Sequence, residues 1–113
     1  MPHLIVEITP KITKSVDILV SAMQQALIDA ELFAENDLKI RVHVVHQLVK
    51  DQVPDCIHCQ LHLMPGRSVP IRQKLAEGVR ASIEAIKLGF PISFTIQIFE
   101  INKDTYIKSV IGC

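Results

Sequence analysis

The sequence predicts an α/β two-layer sandwich made of duplicated β-α-β units: a four-stranded mixed sheet with two helices on one face. Three observations point there. Apolar residues alternate with period two in four short runs and recur at helical spacing in two longer ones. The runs come in the order strand, helix, strand, twice over. The loop pairs Pro10-Lys11 and Pro65-Gly66 fall at matching places in the two halves, which marks an internal repeat over approximately 2–47 and 56–101. Each intervening helix is long enough to return the chain parallel to its first strand, and the right-handed crossover rule puts both helices on the same side.

Taken in order, residues 3–8 alternate as a strand. From about 13 to 32, Val16, Leu19, Val20, Met23, Leu27 and Ala30 recur every three or four residues, the spacing of one helix face. Residues 39–46 give a second strand, and 47–55 a polar connection with Pro54-Asp55 as its turn signal. Residues 57–63 give the third strand. The loop Pro65-Gly66-Arg67-Ser68 ends in a residue suited to cap a helix, with Pro70 tolerated in the first turn. Ile71, Leu75, Val79, Ile83 and Ile86 mark that helix's apolar face, and Gly89 is its expected stop. Residues 92–101 make the fourth strand and 102–113 a C-terminal segment, all within one domain, 1–113.

Alternation sorts the strand residues into two faces. Leu4, Val6, Ile8, Ile40, Val42, Val44, Ile57, Cys59, Leu61, Leu63, Phe94, Ile96 and Ile98 suit the side under the helices. The other side mixes Ile5, Val45 and Phe99 with His3, Glu7, His43, His58, Gln60, His62 and Gln97. Such a mixture suits a subunit interface with internal hydrogen bonds better than a plain solvated face.

Composition narrows the classes. The chain has 113 residues, 49% of them hydrophobic and 4% aromatic, more apolar surface than so small a fold needs for itself, which predicts an oligomer. Lys plus Arg equals Asp plus Glu at 12 each, so no net field draws nucleic acid or an acidic membrane. No run approaches a membrane span, and Glu7, Lys11, Lys14 and Asp17 interrupt any signal-like apolar stretch, so a cytoplasmic protein is expected. The odd set of three cysteines, Cys56, Cys59 and Cys113, reads as reduced thiols.

Three features carry possible chemistry. Cys56, His58, Cys59 and His62 have the look of metal-ligand spacing, but on a strand Cys59 points away from the other three, and no metal is expected. Arg67, just before the second helix, and Arg72 in its first turns form a candidate anion site, supported by the free N–H groups of the helix N-terminus. Ordinary solvated arginines are the alternative. Pro2 opens the first strand. If Met1 is removed, Pro2 presents a secondary amine that is a candidate base; while Met1 is attached, the same nitrogen is an amide and cannot take a proton. Without that chemistry Pro2 simply starts an edge strand.

The start Pro2-His3-Leu4-Ile5-Val6-Glu7, the Arg41-Val42-His43 segment, the His58 strand, and Gly66-Arg67-Ser68 with Arg72-Gln73 together resemble the 5-carboxymethyl-2-hydroxymuconate delta-isomerases of the tautomerase superfamily. The resemblance implies a homotrimer and cofactor-free keto–enol chemistry in homoprotocatechuate catabolism, on a small enol substrate bearing carboxylates. It implies Pro2 and Arg67 as catalytic residues, with Arg41 and, where the family has arginine, Lys39 on the substrate. Lysine offers a point charge in place of a bidentate fork, so substrate identity stays open. A trimeric small-anion-binding homologue without efficient turnover is the competing expectation.

Overall fold

The computed structural model describes residues 2–49 and 52–112. Its elements are β1 (His3–Ile8), α1 (Val16–Asp29), β2 (Lys39–Val44), β3 (Cys56–Leu63), α2 (Val69–Glu84) and β4 (Ser93–Glu100). The sheet order is β2-β1-β3-β4. Each β-α-β unit pairs its own strands in parallel, β1 with β2 and β3 with β4, while β1 and β3 meet antiparallel at the centre with His3 opposite His62 and Glu7 opposite His58. This is the predicted four-stranded mixed sheet with two helices. No helix among the described residues is long and apolar enough to cross a membrane.

Period-two alternation does the sorting. Leu4, Val6 and Ile8 of β1 and Ile57, Cys59, Leu61 and Leu63 of β3 are buried, and the residues between them are half-buried on the opposite face. Against the buried set pack Leu19, Met23 and Leu27 of α1 and Leu75, Val79 and Ile83 of α2, each trio at helical spacing. A leucine buried in this layer contributes about 1.5–3 kcal/mol relative to an exposed one.

Several boundaries differ from expectation, each for a local reason. Pro10 lacks an N–H and opens a short 3-10 turn, Pro10–Ser15, that buries Ile12 before α1 begins. The first helix stops at Asp29, and Glu31 then turns the chain at φ 58°. The second helix stops at Glu84, ahead of Gly89, because Lys87 already takes φ 60°. Val44 was expected under the helices and is 53% exposed. It ends an edge strand, whereas the helices cover the two central strands. Ile71 is likewise exposed, one turn before the buried face of α2 starts.

Candidate active site

Antiparallel pairing at the centre of the sheet brings the start of β1 beside the end of β3. Pro2, fully buried, therefore neighbours Leu63, and its carbonyl accepts a hydrogen bond from the Lys39 N–H at 3.0 Å. The loop leaving β3, Met64-Pro65-Gly66-Arg67, folds over the same end, with Gly66 at φ 114°, a conformation that suits glycine. The connection between α1 and β2 closes the other side. Between them lies an open cleft of about 340 Å³ lined by Pro2, Leu32, Phe33, Ala34, Asp37, Leu63, Met64, Pro65, Gly66 and Arg67.

Arg67 is held rather than free. One terminal nitrogen donates to the Leu32 carbonyl at 3.0 Å, and the guanidinium carbon lies 5.4 Å from the centre of the Phe33 ring. The next residue, Ser68, caps α2 by accepting from the Ile71 N–H at 3.4 Å. The two residues predicted as catalytic, Pro2 and Arg67, thus share one cleft with walls of Leu32, Phe33 and Leu63.

The other predicted site residues are distributed differently. Lys39 Nζ donates to the carbonyls of Asn36 at 3.1 Å and Asp37 at 3.3 Å, so it braces the connection that forms the cleft wall. Arg41 sits on the open face of the sheet, bonded to His3 Nδ1 at 3.2 Å. Arg72 reaches Glu100 at 3.8 Å, and its buried Nε has no partner among the described residues. Neither Arg41 nor Arg72 lines the cleft.

On the open face, the row through Lys39, His3, His62 and Phe99 crosses all four strands. His62 and Phe99 stack with centroids 4.9 Å apart. A guanidinium only donates, so His3 Nδ1 is the acceptor for Arg41 and the ring proton sits on Nε2, which donates to the Tyr106 hydroxyl at 2.9 Å. His3 is therefore neutral. Burial holds its pKa below the usual 6.5, with the Arg41 charge acting in the same direction.

Cys59 is buried on the helix side, opposite Cys56, His58 and His62, as the alternation requires. Burial pushes its thiol up to about 12, which makes it inert packing. Met1 and Cys113 lie outside the described residues. Phe33, Asp37 and Tyr106 were not singled out from the sequence. An apolar Leu32-Phe33 pair beyond the helical repeat was the one signal for the cleft wall; Asp37 and Tyr106 gave none, because their places depend on tertiary contacts.

The family profile of 5-carboxymethyl-2-hydroxymuconate isomerase matches residues 2–110. No curated protein matches the chain by sequence. Among solved structures, a 5-carboxymethyl-2-hydroxymuconate isomerase from Deinococcus radiodurans R1 is similar, with a TM-score of 0.79 at 17% identity over 96% of this chain and 88% of that one. A 5-carboxymethyl-2-hydroxymuconate delta-isomerase gives 0.79 at 12% identity over 99% and 89%. A fused 4-OT wild type symmetric trimer gives 0.75 at 11% identity over 92% and 91%. Identities this low speak for the fold, which is that of the tautomerases; the profile, spanning nearly the whole chain, places it more closely. The chain belongs to the 5-carboxymethyl-2-hydroxymuconate isomerase family.

Proposed function

We propose that this protein is a cofactor-independent isomerase that converts a 2-hydroxy-dienoate, 5-carboxymethyl-2-hydroxymuconate or a relative of it, into the conjugated ketone, with Pro2 as the proton carrier. One observation carries the reading: Pro2 and Arg67 line the same small cleft, beside Leu32, Phe33 and Leu63. With Met1 removed, the Pro2 nitrogen takes the proton of the 2-hydroxyl. The electron pair moves through the diene as the ketone forms, and the protonated amine returns its proton to a carbon at the far end. Burial of Pro2 favours the neutral amine over its ammonium form before substrate arrives. Tuned proton transfer of this kind is worth roughly 10²–10⁴ in rate.

Arg67 would hold the substrate's carboxylate or the developing dienolate. Its contacts to Leu32 and Phe33 fix the guanidinium in advance, which is what electrostatic support of a transition state needs. Lys39 supports the cleft wall. Arg41 and Arg72, which do not line the cleft of their own chain, would serve a neighbouring one if the chain assembles as a homotrimer, as the fused 4-OT protein of the same fold does.

The test has two parts. Intact mass gives the state of the N-terminus: a mature protein that retains Met1 has no amine at Pro2 and ends this reading. With Met1 absent, Pro2→Ala leaves a primary amine without the ring's fixed geometry, and turnover of 5-carboxymethyl-2-hydroxymuconate or a phenylpyruvate-type enol should fall by roughly 10–100-fold. Undiminished turnover would remove Pro2 from the mechanism.

A further inference from the structure

Arg41 stands opposite Ile5 on the open face of the sheet, so its diagonal neighbours on β1 are His3 and Glu7. An arginine with that choice is expected to pair with the glutamate. Arg41 takes the histidine: Nη1 reaches His3 Nδ1 at 3.2 Å, and among the described residues Arg41 has no ion pair and no partner for Nε or Nη2. The difference matters for an anion that arrives later. A carboxylate would fix the side chain and cancel its charge, whereas a neutral imidazole fixes it and leaves the charge whole.

What makes His3 an acceptor on that side is Tyr106. It is the one half-buried residue of 102–112, and its bond to His3 is the one hydrogen bond among the described residues that ties that segment to the sheet. The two rings meet edge to face, 6.0 Å between centroids. The hydroxyl takes the Nε2 proton and leaves the Nδ1 lone pair to Arg41; with the proton on Nδ1, His3 and Arg41 would be two donors in conflict. Neither strand neighbour competes for the ring, since Lys39 Nζ is held by the Asn36 and Asp37 carbonyls and His62 Nε2 by Gln60 Oε1. We propose that His3 and Tyr106 are positioning residues of the site: Tyr106 fixes the His3 tautomer, and His3 aims the Arg41 guanidinium, its charge intact, at a substrate carboxylate in a neighbouring chain's cleft. This rests on the isomerase reading and its trimer, and it extends the site to the C-terminal segment.

The experiment reads binding, so that it does not depend on Pro2. The dicarboxylate 2-oxoadipate is titrated calorimetrically into the wild type, Tyr106→Phe, which loses only the hydroxyl, and His3→Phe, which keeps a ring without its nitrogens, each alone and combined with Arg41→Ala. Tyr106→Phe and His3→Phe should each weaken binding about three- to tenfold at an unchanged light-scattering mass, and should weaken it no further once Arg41 is alanine. Nitrogen NMR of labelled histidine should find the His3 proton on Nε2 in the wild type. Unchanged affinity in Tyr106→Phe, an equal loss in the Arg41→Ala background, a loss that follows a fall in mass, a proton on Nδ1, or no binding by the wild type overturns the inference. Full activity of Pro2→Ala with this binding pattern intact would instead defeat the base assignment and leave the inference standing.

Discussion

His3 has both ring nitrogens committed, Nδ1 to Arg41 and Nε2 to Tyr106, and Lys39 and His62 face it from the strands on either side. Its protonation would set a cation against Arg41 and break the accepted hydrogen bond. Because the folded-state pKa lies below 6.5, the unfolded chain binds this proton first as pH falls. Stability associated with His3 is therefore complete above about pH 6.5 and declines below it until the folded ring itself protonates. Urea midpoints at pH 7.5 and 5.5, at one protein concentration, should show a larger acid loss for the wild type than for His3→Gln; equal losses would mean the ring is not held neutral. Nothing in the sequence announced this arrangement. Pro2 and Arg67 were legible because each stands at a chemically marked place, the chain start and a Gly-Arg-Ser loop, whereas Tyr106 lies in a segment with no periodicity and finds His3 only through the fold.

Elements were legible where pattern and burial agree. The first strand was read at its true limits, since central strands carry strict alternation. The second strand and both helix ends were read too long, because an edge strand's outer residues are not forced inward and because helix termini obey backbone turns at Glu31 and Lys87 more than side-chain periodicity. The start of α2 was read correctly from its chemistry: Ser68 as cap, Pro at the first positions. Ser68→Ala removes a long hydrogen bond, so a loss near the lower end of the usual range is expected, about 0.5–1 kcal/mol by urea titration. No change would mean that Pro70 and the packing of Leu75 hold the helix start alone.

At the scale of the molecule, a single chain leaves much apolar surface in water. Leu48 and Val49 in the connection before β3, and Ile107, Val110 and Ile111 in the C-terminal segment, are each at least 80% exposed, and Phe99 on the open sheet face is 40% exposed. Isolated side chains need no explanation, but this many in one small domain fits burial against further copies. Light scattering at micromolar concentration should give three times the 12.7 kDa chain mass. Replacing Ile107, Val110 and Ile111 together by serine should raise the dissociation midpoint by roughly tenfold or more. A wild-type monomer would defeat the trimer, and an unchanged midpoint would place the C-terminal segment outside the interface. Composition hinted at an assembly; which surfaces stay uncovered could be read only from the folded chain.

The antiparallel meeting of β1 and β3 relates the two halves by an approximate half-turn, which sets the starts of the two strands at opposite ends of the sheet. Where the Pro2 carbonyl accepts from the Lys39 N–H, the Asp55 carbonyl accepts from the Ser93 N–H, and where Arg67 precedes the cap Ser68 of α2, Lys14 precedes the cap Ser15 of α1. The far end of the sheet therefore has an aspartate where the near end has its proline, and a lysine where it has its arginine. Asp55 is an interior residue, its nitrogen an amide that no processing of the chain start can free. With Met1 removed, a molecule symmetric in its scaffold would thus be lopsided in its reactivity: an electrophile that alkylates secondary amines would consume one equivalent per polypeptide, never two.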